Sequence, residues 1–403
     1  MTPGARIAAA AGLLDRILAG AAAEQALTTW ARANRYAGSG DRAAIRDHVF
    51  DALRCRRSFA ALGGAETGRG LMLGALRAAG RDPASLFTGE GHAPTPLSEA
   101  EIAHLAKPLP KEAEVPPDLP DWLVPLFHEG LGADAPAVMA ALRQRAPVFL
   151  RVNLARLTRD EAIARLAAEG IVALPHPLAN SALQVTENAR KIQIGGCYAQ
   201  GRVELQDAAS QAVVEMLPLR PGMRVLDYCA GGGGKTLGMA ARAPLTLFAH
   251  DADPGRMADL PVRAARAGVR VERLATAALA QAAPFDLVLA DVPCSGSGSW
   301  RRAPEAKWRL TPARLAELRR VQAAILRDAA GLVAPGGVLA YATCSLLAEE
   351  NRQQVAAFLG AAPGWHLVQD RRLTPLDGGD GFYGAILARK CLELPALRVR
   401  GSV

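Results

Sequence analysis

Residues 1–105 carry hydrophobic side chains at a spacing of three to four positions. This period places the apolar side chains on one face of amphipathic helices. Because few strand-like runs interrupt the pattern, the sequence predicts an all-helical N-terminal domain. The residues that show the spacing are Ile7, Leu13, Leu14, Ile17, Val49, Leu53 and Phe59.

Prolines dominate the next segment, residues 106–120, which contains five of them. Proline lacks a backbone N–H donor and fixes its own φ angle, so the segment is unsuited to a helix and favours an extended linker. We therefore place the first predicted domain, with its linker, at residues 1–120.

The pattern changes after the linker. Residues 121–145 are predicted to form short helices, and Thr158 and Glu161 have the spacing of a capping box at the start of another helix. This mixture of helices and strands predicts a small α/β module at residues 121–204. Its predicted strands are 148–153, 183–186 and 192–194.

From residue 205 onward, short apolar runs alternate with helical patterns. Such alternation predicts a doubly wound parallel sheet with helices between the strands, here at residues 205–403. The predicted strands are 224–228, 245–250, 270–274, 285–290, 338–343, 366–368 and 385–388.

The composition limits the class of protein. Half of the 403 residues are hydrophobic, so the chain can bury the cores of two or three domains. Its net charge of +8 and isoelectric point near 9.5 weakly favour a polyanionic partner such as nucleic acid, although many basic proteins bind none.

The cysteines and the apolar runs favour a cytoplasmic protein with reduced thiols. Six cysteines are too few for a disulfide scaffold, and no pair has the C-x-x-C spacing of a zinc site, so no metal is predicted. No uncharged apolar stretch approaches the roughly 18 residues of a membrane helix. Charges within residues 1–20 argue against a signal peptide. A monomer without membrane contact is expected.

A glycine-rich turn separates the first strand of the predicted sheet from the helix that follows. The turn is not a P-loop, because Cys229 stands six positions before Lys235 where a P-loop needs glycine. A strict G-x-G-x-x-G also fails, because residue 237 is leucine. A helix N-terminus bordered by glycines nevertheless suits a nucleotide-type ligand.

Asp251 directly follows the second predicted strand. An acid at this place commonly binds the ribose hydroxyls of a nucleoside cofactor. Alternatively, Asp251 or Asp253 caps the next helix. Together with the glycine turn, Asp251 predicts a nucleoside cofactor, which leaves a dehydrogenase and a methyltransferase open.

Cys294 and Cys344 each follow a predicted buried strand, and each precedes a serine. Because parallel strands present their carboxyl ends at one edge of a sheet, we expect both thiols in one cleft. Nearby positive charge would favour a thiolate. The candidate sources are Lys235, Arg301 and Arg302. The remaining cysteines, Cys55, Cys197, Cys229 and Cys391, are expected to be packing residues.

Two thiols beside a methyl donor suit one reaction in particular. The C5 atom of cytosine is a poor nucleophile, but a thiolate that adds to C6 turns the ring into an enamine whose C5 can take a methyl group. Asp291 would protonate N3 of the base, and the second thiol would assist release of the first. The alternative for Asp291 is a carboxylate that caps neighbouring backbone N–H groups.

These residues resemble those of the RNA cytosine-C5 methyltransferases of the Nop/Sun family, and most closely the bacterial 16S ribosomal RNA enzymes. Residues 227–236 match the family's Asp-x-Cys-Ala-Ala-Pro-Gly-Gly-Lys-Thr, and residues 291–298 match Asp-x-Pro-Cys-Ser-Gly-x-Gly. Residues 341–345, followed by Glu350-Asn351, match Tyr-x-Thr-Cys-Ser and Glu-Asn. The resemblance covers about residues 145–390.

The resemblance implies a Rossmann-like, S-adenosylmethionine-dependent methyltransferase domain. It assigns the nucleophile to Cys344 and product release to Cys294, a choice that the chemistry of the residues leaves open. Asp291 and Lys235 complete the implied catalytic set. The implied donor-binding residues are Asp227, Cys229, Ala230, Gly231, Gly233, Gly234, Lys235, Asp251, Arg256 and Asp291.

The N-terminal region resembles, more loosely, the NusB-like helical domain of the bacterial enzymes, through residues 40–46 and 49–54. Arginines in and after these segments are candidates for RNA phosphate contacts, and a solvated helix face is the alternative. They are Arg42, Arg46, Arg54, Arg56 and Arg57.

A basic segment follows Cys294. Arg301 and Arg302 are predicted to contact RNA, and Trp300 and Trp308 to stack on bases, with a core anchor as the alternative for Trp308. The target base must leave its stack to reach a thiol, so a single-stranded or loop cytosine is expected. Three later arginines are expected on a solvated helix face: Arg319, Arg320 and Arg327.

The chain departs from the family pattern at two places. Gly231-Gly232 replaces Ala-Pro, which loosens the turn, and residues 274–278 lack the acid that the family has near the adenine. The predicted function is methyl transfer from S-adenosylmethionine to C5 of a cytosine in RNA, with 16S ribosomal RNA as the expected substrate. The alternatives are a transfer RNA enzyme, a DNA cytosine methyltransferase, a non-catalytic RNA-binding assembly factor and a nicotinamide dehydrogenase.

Overall fold

The computed structural model describes residues 1–111 and 115–389. The α-helices are α1 (Pro3–Leu18), α2 (Ala23–Ala33), α3 (Ser39–Arg54), α4 (Arg56–Gly63), α5 (Gly68–Ala78), α6 (Glu99–Leu105), α7 (Leu123–Leu131), α8 (Ala135–Ala141), α9 (Arg159–Ala168), α10 (Gly196–Ala199), α11 (Ala208–Glu215), α12 (Gly234–Ala240), α13 (Leu260–Ala267), α14 (Leu279–Ala282), α15 (Glu305–Arg309), α16 (Pro312–Gly331) and α17 (Arg352–Ala361). The strands are β1 (Val148–Val152), β2 (Val172–Pro175), β3 (Ala182–Glu187), β4 (Val203–Leu205), β5 (Arg224–Asp227), β6 (Thr246–Ala249), β7 (Glu272–Arg273), β8 (Phe285–Asp291), β9 (Val333–Thr343), β10 (Trp365–Leu373) and β11 (Phe382–Arg389). Among the described residues, no helix is long and apolar enough to cross a membrane.

The chain forms two compact units. Unit 1 comprises Met1–Arg145 and Trp300–Arg309, and unit 2 comprises the rest. The predicted domain boundaries after residues 120 and 204 stay predictions. Cys391, predicted to be a packing residue, lies outside the described residues.

Unit 1 is helical wherever residues 1–111 have regular structure. Thr2 caps α1, because its hydroxyl accepts a hydrogen bond from Ala5 N at 3.2 Å. The predicted apolar face of α1 is buried in the core of this unit, including Leu13 and Leu14. The likeness to a NusB-like domain stays a prediction.

Arginines predicted to face RNA or solvent in unit 1 are mostly paired. Arg54 is buried, and its Nε donates to the carbonyl oxygen of Arg301 at 2.7 Å. Arg54 therefore belongs to the interior of the unit, which neither predicted alternative anticipated. Three of the remaining arginines form ion pairs: Arg46 with Glu24, Arg56 with Glu66 and Arg57 with Asp121.

The segment Trp300–Arg309 folds with the helices of unit 1. Trp300 is only 1% exposed and stacks on Phe127 with the ring centroids 5.9 Å apart, so the prediction that Trp300 stacks on a base is wrong. Trp308 Nε1 donates to Leu53 O at 2.7 Å, which favours the alternative prediction that Trp308 anchors the core and does not stack on a base. Arg301 is 5% exposed, which argues against its predicted RNA contact, whereas Arg302 is exposed.

Replacing Trp300 by alanine is expected to lower the free energy of unfolding of unit 1 by about 3 to 5 kcal/mol, because a fully buried indole leaves a large cavity. Denaturant unfolding of the full chain measures the change. Tyr36→Ala is the control, since Tyr36 is 73% exposed and should change stability little. Equal losses in the two variants would contradict the placement of Trp300.

Unit 2 contains two sheets. A four-stranded antiparallel sheet has the order β2-β3-β1-β4, and a seven-stranded sheet has the order β10-β11-β9-β8-β5-β6-β7. The cores of the larger sheet lie on its two faces, with Leu287 and Leu289 in one and Val288 and Ala290 in the other. This alternation explains why β8 is apolar at consecutive positions.

The prediction of a wholly parallel sheet is wrong at one edge. Strands β5 to β9 pair in parallel, but β11 is antiparallel to both β9 and β10. The reason is the short connection between Leu373 and Phe382. A parallel crossover needs about a dozen residues or more, so β11 must reverse direction. It then inserts between β9 and β10.

The smaller sheet was predicted only in part. The capping box is confirmed, because Glu161 N donates to Thr158 Oγ1 at 3.3 Å and Thr158 N donates back to Glu161 Oε2 at 2.7 Å. The predicted strand at 192–194 is wrong. These residues end a 3₁₀ helix, Ala189–Ile194, in which Ile194 is 86% exposed. Strands β2 and β4 were not predicted.

Candidate active site

The predicted site residues of unit 2 lie after the carboxyl ends of four neighbouring strands. Strand β5 leads into the glycine turn, β6 into Asp251, β8 into Cys294 and β9 into Cys344. These strands pair in parallel in the order β9-β8-β5-β6, so their ends meet at one edge of the sheet. This edge is where open α/β sheets bind their ligands.

The two thiols that the sequence predicted in one cleft are in contact. Strands β8 and β9 pair with Asp291 opposite Ala342, which brings the two following loops together. The sulfur atoms of Cys294 and Cys344 lie 3.4 Å apart, and both residues are partly exposed. A hydrogen bond between a thiol and a thiolate is consistent with this distance.

Lys235 and Asp291 form an ion pair at the same edge. Lys235 Nζ lies 2.6 Å from Asp291 Oδ2, and the lysine side chain is only 9% exposed. Burial lowers the pKa of Lys235, but the charge and hydrogen bond of Asp291 outweigh burial and raise the pKa above its usual value. Lys235 is therefore a permanent cation at neutral pH.

The two thiols differ in their tendency to ionise. The hydrogen bond from Cys294 lowers the pKa of Cys344, and the charge of Lys235 acts in the same direction against burial. The hydrogen bond to Cys344, together with burial, raises the pKa of Cys294 well above its usual value. Of the two thiols, Cys344 is therefore the one that ionises more readily.

The glycine turn is tied to Asp251. Gly231 N donates to Asp251 Oδ2 at 3.0 Å, and Arg256 Nη1 lies 3.2 Å from the same oxygen. The cap of the following 3₁₀ helix, Pro254–Met257, is Asp253, whose carboxylate accepts from Gly255 N at 2.9 Å. Of the two acids predicted as alternatives for this cap, the structure therefore uses Asp253 and not Asp251.

Asp227 lies buried at the end of β5. Its Oδ2 accepts a hydrogen bond from Thr236 Oγ1 at 2.7 Å, whereas its buried Oδ1 has no partner among the described residues. Burial raises the pKa of Asp227 to about 7, against the opposing effect of the Thr236 hydrogen bond. An unpaired buried carboxylate oxygen suits a ligand that brings a hydrogen-bond donor.

Cys229 and Ala230 lie between Asp227 and the glycines of the turn. Cys229 is half-buried, and burial raises the pKa of its thiol, in keeping with the predicted packing role. Ala230 N donates to His250 O at 2.8 Å, which joins the turn to the end of β6. After β7, in the segment 274–278 that lacks the acid of the family pattern, the Thr276 hydroxyl lies 3.0 Å from His250 Nε2.

Gly233 requires glycine for two reasons. Its φ angle is +79°, and a Cβ placed there would lie 2.2 Å from Leu260 Cδ1. We expect Gly233→Ala to lower the free energy of unfolding of unit 2 by about 1 to 3 kcal/mol and to weaken donor binding. Denaturant unfolding and calorimetric titration measure the two effects.

Gly12→Ala is the matched control for Gly233→Ala. Gly12 lies inside α1, and a Cβ there meets nothing within 4 Å. The substitution should stabilise the chain by roughly 0.5 to 1 kcal/mol through helix propensity. A Gly233→Ala variant that keeps full stability would show that the turn is more adaptable than its geometry indicates.

Sequence reasoning missed two residues that support this site. Arg151 on β1 donates from Nη1 to Gly234 O at 2.5 Å, so the smaller sheet contacts the glycine turn. The Phe382 ring lies 4.7 Å from Lys235 Nζ, a cation–π contact. Phe382 lies within the segment that resembles the family, but the resemblance named no partner for it. Nothing in the sequence linked Arg151 to residue 234.

Comparisons with known proteins agree with this geometry. Residues 214–383 match the family model "16S rRNA methyltransferase RsmB/F", and residues 119–192 match the ferredoxin-like domain of the RsmF/B-like methyltransferases. Ribosomal RNA small subunit methyltransferase B of Klebsiella pneumoniae subsp. pneumoniae is 35% identical over 285 residues, which cover 67% of this chain and 66% of that protein.

The chain belongs to the RsmB/F family. The predicted resemblance to the Nop/Sun family is confirmed. The Vibrio cholerae enzyme of the same name is also 35% identical, over 67% of this chain and 65% of that protein. The aligned region thus spans just under two thirds of these relatives.

The fold of this RsmB/F family member has a close structural counterpart. The crystal structure of PH0851 superposes with a TM-score of 0.73 and covers 96% of this chain and 99% of that one, at 23% identity. This likeness concerns the fold alone. The two chains share a fold over most of their lengths.

Proposed function

We propose that this RsmB/F family member transfers a methyl group from S-adenosylmethionine to C5 of a cytosine in 16S ribosomal RNA, through a covalent bond between Cys344 and C6 of the base. The observation that carries the proposal is the pair of thiols 3.4 Å apart beside the Lys235–Asp291 ion pair. The names of the curated relatives support the choice of ribosomal RNA.

The donor-binding residues are proposed from the glycine turn and its neighbours. The unpaired Oδ1 of Asp227 would accept from the ammonium group of S-adenosylmethionine. Asp251, held by Gly231 N, would accept from the ribose hydroxyls, and Arg256 would support it. Gly233 and Gly234 lie at the start of α12, where the lack of side chains lets the donor approach the backbone closely. Once bound, the donor supplies a methyl group activated by a sulfonium centre.

Cys344 is proposed as the nucleophile. Its thiolate adds to C6, which places the ring electrons at C5, where the new carbon–carbon bond forms. Because the proton of the ion pair is on Lys235, that proton passes through Asp291 to N3 as the ring electrons move, and until then the charge of Lys235 favours the Cys344 thiolate. Water then accepts the proton from C5, the electrons of that bond expel Cys344 from C6 as a thiolate, and N3 gives up the proton that it received.

Cys294 is proposed to act in this last step. Its pKa is raised well above the usual value, so it is a thiol at neutral pH and can donate a hydrogen bond to the departing Cys344 sulfur. A DNA-type enzyme would instead use the thiol after proline, which is Cys294. The pKa order of the two thiols favours the RNA-type assignment.

Transfer of a tritiated methyl group from S-adenosylmethionine to unmodified 16S ribosomal RNA tests the proposal. We expect label in one cytosine, identified by nuclease digestion, and none in transfer RNA assayed in parallel. Label in transfer RNA only would move the substrate and keep the chemistry. Donor binding without label in either RNA would favour a non-catalytic assembly factor.

A further inference from the structure

One carboxylate contacts the loops of both thiols. Ser295 follows Cys294, and its Oγ donates to Glu350 Oε2 at 2.5 Å. Ser345 follows Cys344, and its Oγ donates to the same oxygen at 2.5 Å. The Glu350 side chain therefore bridges the two residues that directly follow the cysteines.

The bridge is buried and fully hydrogen-bonded. Glu350 is 0% exposed, and its Oε1 accepts from Ser295 N at 2.8 Å and from Gln322 Nε2 at 3.0 Å. Gln322 is held in turn by Gln354 Nε2 at 3.2 Å. With four donors on one carboxylate, neither cysteine loop can shift without breaking a charge-assisted hydrogen bond.

The charge of Glu350 needs an explanation beyond folding. No ion pair to Glu350 is found in the part of the chain that the structure describes, so its negative charge is balanced by neutral donors alone. A buried charge of this kind is costly, and packing alone would be served by an apolar or amide side chain. A carboxylate that accepts four hydrogen bonds holds both cysteine loops in fixed positions, which matters at a site where two sulfurs must act together.

We propose that Glu350 is a positioning residue that sets the separation of the Cys294 and Cys344 thiols. The proposal deepens the proposed function and rests on its two-thiol chemistry. The step that depends on the separation is the release of Cys344 with the help of Cys294. A misplacement of about 1 Å is enough to cost about a hundredfold in such a step.

Oxidation by diamide measures the separation without methyl transfer. Diamide takes two electrons and two protons from a pair of thiols, which become a disulfide, and the 294–344 disulfide is quantified by mass spectrometry of peptides. Because the reacting sulfurs start 3.4 Å apart, we expect rapid formation in the wild type. In Glu350→Ala we expect the rate to fall by about tenfold or more, since both loops lose their shared anchor.

Two further variants separate positioning from a general loss of structure. Glu350→Gln keeps the shape, and the hydroxyls of Ser295 and Ser345 can rotate to accept from the new amide, so disulfide formation should stay within about twofold of wild type. Glu349→Ala is the matched control, because Glu349 shares the same 3₁₀ helix but pairs with Arg319 instead. It should also react at the wild-type rate.

A pH profile gives a readout that packing alone would not move. The carboxylate of Glu350 opposes ionisation of both thiols, so its charge raises their pKa values. In Glu350→Gln, alkylation of Cys344 by iodoacetamide should therefore reach half of its maximum rate at a lower pH than in the wild type. If Glu350→Ala does not fold, Ser345→Ala, which removes one arm of the bridge, replaces it in the diamide assay.

A wild-type rate of disulfide formation in Glu350→Ala, or in Ser345→Ala as its substitute, would overturn the positioning role. That result would leave the proposed function intact if the wild type still methylates RNA. Conversely, a wild type that does not methylate RNA but shows the expected order of disulfide rates would refute the methyltransferase proposal. It would still support Glu350 as the residue that sets the thiol separation.

Discussion

Replacing Cys344 by alanine is expected to abolish methyl transfer to RNA, with a loss of at least about a thousandfold in the single-turnover rate. The pKa of Cys344 is lowered by the hydrogen bond from Cys294 and by Lys235, so it ionises more readily than Cys294. Without this nucleophile, C5 of the base keeps its low reactivity, whichever other groups are in place. Rapid-quench measurement of tritium incorporation determines the loss.

Cys294→Ala is the matched variant, because it removes the other sulfur of the same pair. It should permit addition of Cys344 to the base but slow its release, so protein and RNA should accumulate as a covalent complex that survives denaturing electrophoresis. The reverse result, a stable complex in Cys344→Ala and none in Cys294→Ala, would assign the nucleophile to Cys294 and contradict the proposed mechanism.

The core of this site was predictable from the sequence because local signals and sheet topology agree. The apolar runs that end before Cys294 and Cys344 are strands β8 and β9, and these are parallel neighbours. Parallel pairing brings the ends of adjacent strands together, so two cysteines at strand ends come into contact. The choice between them followed from the family resemblance, and the structure adds the position of Lys235 as a physical reason.

Features that depend on distant residues were not predictable. Trp300 lies in a basic segment, and only its packing on Phe127 reveals it as a core residue. The antiparallel edge depends on the length of one loop, which composition does not encode. Glu350 was visible as part of a motif, but its bonds to Ser295 and Ser345 require the loops of β8 and β9 to be placed in space.

Replacing Lys235 by methionine is expected to lower the rate of methyl transfer by about a hundredfold at neutral pH. Two effects act together. Asp291 loses the cation 2.6 Å away that holds its carboxylate, and Cys344 loses a positive charge that favours its thiolate. Methionine keeps most of the length of the side chain, so it still fills the space beside Phe382, but the cation–π contact with that ring is lost as well.

The pH dependence of the same variant distinguishes the two effects. The thiolate fraction of Cys344 rises with pH through the pKa of the thiol, so the rate rises on the acidic side of the profile. Because Lys235 lowers that pKa, its removal should move the rising limb to higher pH, and the deficit should be largest at low pH. Lys235→Arg, which keeps the charge, should leave the limb in place. A limb that does not move in Lys235→Met would mean that Lys235 acts through Asp291 alone, and that the hydrogen bond from Cys294 is sufficient to ionise Cys344.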